Sequence, residues 1–152
     1  MQARMTQPVF VLPDAMKALQ ALSAASAGAG LPANLLELVN LRASQINGCG
    51  VCADMHPRLS KKNGETDERL FAVAAWRDTP YFTEAERAAL ALTEAVTRLA
   101  DREDPVPNDV WDEAARHFDE TALAGLLIGI AGINVWNRLN VATRQVAGQT
   151  GW

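Results

Sequence analysis

Apolar residues recur at three- and four-residue intervals along most of the chain, the period of helices that bury one face. The stretch 83–101 is the clearest. Ala85, Ala88, Ala89, Leu92, Ala95, Val96 and Leu99 form a stripe, with Glu86, Arg87, Glu94 and Arg98 opposite. Thr83 and Glu86 have the spacing of a capping box, which satisfies orphan amides at a helix start. Leu90 breaks the polar face, either as an ordinary exposed leucine or as part of a subunit contact. Read with its Pro, Gly, Asn and Asp punctuation, the pattern predicts helices over 13–27, 32–47, 49–63, 67–77, 83–101, 107–118 and 120–146. Thr66, followed by Asp67 and Glu68, is another good helix start, the acids complementing the positive end of the dipole. The expectation is an all-α fold in a single domain spanning 1–152, since no linker, repeat or low-complexity tract divides the chain.

The final helix is apolar over most of its circumference (Leu123, Leu127, Ile130, Ile133, Trp136), as expected of a central helix or an oligomer interface. Asn134, Asn137 and Arg138 are polar groups inside it that could line a pocket or bridge subunits, with bridging the preferred reading. Trp76, Trp111 and Trp136 fit apolar stripes and are read as packing residues rather than a ligand cage.

Composition narrows the class. A chain of 152 residues with 49% hydrophobic and 21% charged residues can bury a sizeable core. The net charge of −4, with no basic cluster beyond Lys61-Lys62, argues against nucleic acid or an anionic membrane surface as partner. The first residues lack the apolar run of a signal peptide, and the uncharged stretch 121–137 falls short of a membrane span. A cytoplasmic protein is expected. In that compartment its 2 cysteines are better read as catalytic or metal-binding than as a permanent cross-link.

Both cysteines lie in the run Cys49-Gly50-Val51-Cys52-Ala53-Asp54-Met55-His56. On a helix, Cys49, Cys52 and His56 share one face. Asn47-Gly48 closes the preceding helix, so Cys49 stands at the opening of the next, where free amides and the dipole favour a thiolate. His56, one turn beyond Cys52, is placed to take a proton from it. Glu37 sits in the apolar run Leu35-Leu36-Glu37-Leu38-Val39, with Ala33, Asn34, Asn40 and Leu41 at its helical neighbour positions and hence no local cation. A carboxylate there needs a partner, and a histidine on the adjoining helix would serve.

Glu37 followed by Cys-x-x-Cys-x-x-x-His, within "LLELVNLRASQINGCGVCADMH", resembles the signature of the alkyl hydroperoxidase D-like group of the carboxymuconolactone decarboxylase superfamily. "WRDTPYFTEAERAALALTEAVTRL" and "INVWNRLNVATR" are similar to that group too, so the resemblance spans about 10–145. It implies an all-α protein, assembled as trimers or hexamers, that reduces hydroperoxides with a cysteine pair and no cofactor or metal. Carried over by position, Cys49 and Cys52 are the redox pair, His56 the proton-shuttling base and Glu37 its orienter. Cys52 is the preferred attacking thiol and Cys49 the resolving one, although the helix-terminus argument favours Cys49. An external dithiol, a lipoyl-type carrier or a peroxiredoxin is the implied redox partner.

Two features depart from that pattern. Val51 stands where the founding hydroperoxidase has a histidine beside its second cysteine. Pro57 follows His56, and proline disfavours helical geometry at the residue before it, so either His56 sits at a bend or the helix register differs there. The competing readings are a lyase of the decarboxylase branch, a non-catalytic protein of the same fold, and a metal site using Cys49, Cys52, His56 and Glu37. His117 is read as a helix-end histidine with no role.

Overall fold

The computed structural model describes residues 1–148, and every regular element among them is helical. The helices are α1 (Pro8–Val11), α2 (Pro13–Ala27), α3 (Ala33–Asn47), α4 (Gly50–Lys62) and α5 (Asp67–Ala72), which runs into a 3-10 helix (Val73–Asp78). They continue as α6 (Glu84–Thr97), α7 (Asn108–His117) and α8 (Glu120–Thr143). The helical periodicity therefore locates each of the seven predicted segments. The differences lie at the ends: α6 stops at Thr97 and α8 at Thr143, where Arg144 takes a left-handed conformation. The segment predicted over 67–77 is kinked at Ala75. Helix α1 carries no amphipathic signal in its four residues.

Helix α3 organises the core because it is buried on several sides. Leu35 and Val39 join Leu92, Leu126 and Ile130 of α6 and α8, while Leu38 and Leu41 pack with Leu70, Val73, Trp76, Phe82 and Leu90. Ala43, at its far end, meets Cys49, Val51, Cys52 and Ile133. Leu90 is thus fully buried in the second cluster, which corrects the expectation of an exposed residue or subunit contact. Its face of α6 is covered by α5 and the 3-10 helix, which a stripe read from α6 alone does not reveal.

Glu94, opposite the apolar stripe, is buried on that same covered side. It accepts from Arg42 (2.7 Å), Arg77 (2.6 Å) and Trp76 Nε1 (2.9 Å). Burial works to raise its pKa, but these hydrogen bonds outweigh it and hold the carboxyl below the usual range. The Thr83–Glu86 capping box forms as the sequence predicts, and Thr66 caps α5 through the amide of Arg69. Trp76 is core, whereas Trp111 is partly exposed.

Helix α8 is long and apolar enough, by length and composition alone, to cross a membrane. Here it packs on α2, α3 and α6 as an element of the core. It approaches the end of α2 and the turn after it closely at Gly125, where a Cβ would collide with that of Ala29, while Ser26 Oγ donates to the Gly125 carbonyl at 2.7 Å. Asn134 and Asn137 bridge helices within the chain, a correction to the subunit-bridging expectation. Asn47 Nδ2 on α3 donates to both at 2.9 Å, Asn134 donates to Thr97, and Asn137 donates to Ser44.

Candidate active site

The turn between α3 and α4 sets the position of the first thiol. Gly48 adopts φ +66°, a left-handed conformation in which glycine carries no Cβ penalty. This lets the amide of Cys49 reach the Ser44 carbonyl (3.0 Å) and that of Gly48 the Gln45 carbonyl (3.4 Å), the paired bonds of a Schellman ending. Cys49 is then the N-cap of α4, its sulfur accepting from the amide of Cys52 at 3.4 Å. Both cysteines are free and buried, at 1% exposure each.

The two sulfurs are electrostatically unequal. A hydrogen bond from the Cys52 thiol, together with the Cys52 amide and the side chains of Asn140 and Asn137, outweighs burial and brings Cys49 down to about 6. Cys52 is pushed upward because its thiol proton is held on Cys49, and burial and the Cys49 charge act in the same direction. Near neutral pH the pair shares one negative charge, centred on Cys49. Asn140 Nδ2 lies 3.3 Å from Cys52 Sγ and 3.7 Å from Cys49 Sγ, so one amide group serves both.

One and two turns into α4, Cys52 and His56 face a cavity of about 350 Å³, the lower end of the size range of small-molecule pockets. Its wall is mainly apolar, with Leu36, Met55, Ile128, Ile133 and Trp136, and its polar groups include Ser23, Glu37, Asn40 and Asn140. Cys52 lines this space and Cys49 stands behind it. Helix α4 is continuous through Pro57, so His56 keeps its helical register, and Pro57 can donate no backbone hydrogen bond there. His56 Nδ1 meets Glu37 Oε2 at 2.6 Å, across the α3–α4 interface. With Glu37 engaging Nδ1, Nε2 is the ring nitrogen left for proton exchange. That atom is buried and has no hydrogen-bond partner among the described residues.

Three of the four sequence-predicted residues, Glu37, Cys52 and His56, therefore line the cavity, and the fourth, Cys49, packs against Cys52. Asn140 was not among them. Its signal is the three-residue spacing Asn134, Asn137, Asn140, a polar stripe on an otherwise apolar helix that points at the α3–α4 turn. Trp136, read as a packing residue, also forms cavity wall. Among the described residues no group of three or more His, Cys, Asp or Glu side chains is placed to hold a metal ion. His117 pairs with Glu113 at 3.0 Å on α7, away from this site.

Comparisons with known proteins place the fold. The chain is 32% identical over 132 residues to the uncharacterised protein YdfG of Bacillus subtilis (strain 168), covering 87% of this chain and 88% of that one. It is 36% identical over 107 residues to the uncharacterised protein YnjA of Escherichia coli (strain K12), 69% of this chain and 56% of that one. A crystal structure of a protein of unknown function from Agrobacterium tumefaciens, provisionally described as the antioxidant defence protein AhpD, superposes with TM-score 0.89. That match has 34% identity and covers 98% of this chain and 100% of that one. The debrominase Bmp8 shares the fold at TM-score 0.79 and 23% identity, over 90% of this chain and 73% of its own, so the fold carries more than one chemistry. The family model for carboxymuconolactone decarboxylases matches residues 13–95, a span that holds Glu37, Cys49, Cys52 and His56. The chain belongs to the carboxymuconolactone decarboxylase family, in its AhpD-like group.

Proposed function

We propose that the protein is a thiol-dependent hydroperoxide reductase. The observation that carries this reading is that Cys52 and His56, whose Nε2 has no partner among the described residues, line the same cavity, with the more acidic sulfur of Cys49 hydrogen-bonded to Cys52. In the resting pair, transfer of the Cys52 proton to the Cys49 thiolate puts the charge on the sulfur that a substrate can reach. Cys52 then attacks the O–O bond of a hydroperoxide, becoming a sulfenic acid and releasing an alkoxide, which is protonated to the alcohol. Cys49, again a thiolate, attacks the sulfenic sulfur, and the departing hydroxide leaves as water. His56 carries protons in these steps and Glu37 holds its tautomer. Two thiols and one hydroperoxide thus give a disulfide, an alcohol and water. An external dithiol, such as a lipoyl-type carrier, or a partner peroxiredoxin closes the cycle by thiol–disulfide exchange.

A lyase reading leaves both sulfurs and their amide donors without a task, and a purely structural protein has no need of a depressed thiol pKa. Assembly into a homo-oligomer is part of the proposal. Ile128 and Val135 lie on one flank of α8 at 38% and 39% exposure, an apolar strip that a second copy would cover.

The expected result is dithiol-dependent consumption of an organic hydroperoxide such as cumene hydroperoxide, followed by stopped-flow mixing. It should be abolished in Cys52→Ser and reduced about 10²-fold or more in His56→Ala, in line with the loss of a general acid–base. Undiminished turnover in the double Cys→Ser protein would refute the redox assignment.

A further inference from the structure

The N-terminal segment reaches across the molecule to the end of α8. The amide of Arg4 donates to the Thr143 carbonyl (2.8 Å), its guanidinium to the Ala142 carbonyl (3.1 Å), and Gln145 Nε2 to the Met5 carbonyl (2.9 Å). This lacing carries Gln7 inside, where it is 2% exposed. Its Nε2 donates to Asn140 Oδ1 at 2.5 Å, on the opposite side of that carboxamide from the two sulfurs.

A primary carboxamide has a donor end and an acceptor end of nearly the same shape, and only its partners decide which way it faces. Turned over, Asn140 would aim oxygen lone pairs at a pair of sulfurs that share a negative charge, and its NH2 would meet the NH2 of Gln7. Gln7 could relieve that second conflict only by turning over itself. Gln7 Oε1 is buried with no partner, so burial of this side chain leaves one polar atom unsatisfied. A buried glutamine with an orphaned oxygen is a poor packing choice unless its other end has a task.

We propose that Gln7 is a positioning residue of the active site: it fixes the carboxamide of Asn140 with its NH2 toward both cysteine sulfurs, holding the pair in its singly charged state. The proposal rests on the cysteine pair being the reactive centre. Other charged groups nearby are otherwise engaged. Glu37 and His56 pair with each other, Arg138 with Asn134, and Arg4 with a backbone carbonyl.

The test is a titration of thiolate ultraviolet absorbance in the full chain, which needs no substrate. Losing a hydrogen bond to a charged group costs about tenfold in an equilibrium constant, so Asn140→Ala should lower the acid dissociation constant of the pair about tenfold. Gln7→Met keeps the shape but cannot donate, and should lower it about threefold to tenfold. A packing role would leave the Gln7→Met midpoint at the wild-type value, which would overturn the proposal, as would an unmoved midpoint in Asn140→Ala. Should either variant fail to fold, side-chain amide NMR of the wild type decides. The Asn140 and Gln7 signals should both shift with the thiolate midpoint, and indifferent signals would refute the coupling. A wild type that titrates as described yet consumes no hydroperoxide would defeat the reductase reading and leave this inference standing.

Discussion

At the scale of single residues, the site depends on the inequality of its two sulfurs. Cys49 gains its acidity from being an N-cap, from the Cys52 thiol and from Asn140, all of which require the folded chain. An unfolded thiol returns to its ordinary value near 9. The folded pKa is depressed, so ionisation of Cys49 stabilises the native state fully above the unfolded value, and that stability is lost as pH falls through about 6. Cys52 keeps its proton across this window and contributes no slope. The stability gap between wild type and Cys49→Ser, measured by urea unfolding, should therefore widen by about 2 kcal/mol from pH 5 to pH 8. A gap independent of pH would contradict a native thiolate at Cys49.

At the scale of elements, the contacts between helices matter more than the helices themselves. Helices α2 and α8 approach so closely at Gly125 that Ala29 and the Ser26 carbonyl occupy the space of a side chain. Gly125→Ala should push them apart at a cost of about 1–3 kcal/mol, as overpacking usually does, and lower the midpoint of thermal unfolding accordingly. Ser26 and Gly129 also line the cavity, so a slower substrate reaction should accompany the loss of stability. What the sequence made legible follows the same division. Local signals such as the Thr83–Glu86 box, the Gly48 turn and the Cys49-Cys52-His56 face were readable because each depends on residues three or four apart. Glu37 was readable as a carboxylate without a local cation, and its partner proved to be His56. The surroundings of Leu90, Glu94 and the Asn134–Asn137 bridges were not readable because they come largely from other helices, as in the Glu94–Arg77 pair 17 positions apart and the Asn137–Ser44 pair 93 apart. Asn140 and Gln7 meet at a separation of 133 positions, a pairing that no window of periodicity can register.

At the scale of the whole molecule, α8 lies between core and surface. One side contributes Leu126 and Ile130 to the core, the next presents the asparagine stripe to the α3–α4 turn, and a third leaves Ile128 and Val135 uncovered. If that third side is where copies meet, Val135→Glu should reduce the mass seen by light scattering to that of one chain while leaving the helical circular dichroism unchanged. A wild type that is already a single chain of 16.4 kDa would contradict assembly through α8.

Hydrogen bonds lace Arg4 and Met5 to the last turn of α8 and to Gln145, and Gln7 in the same segment reaches Asn140. The family model's span of 13–95 includes the cysteines but neither Gln7 nor Asn140. On the proposed role of Gln7, relatives that share the thiol motif but carry another residue at this position should differ in thiol acidity. Exchanging the first seven residues between such relatives would retune the chemistry without altering one atom of the motif.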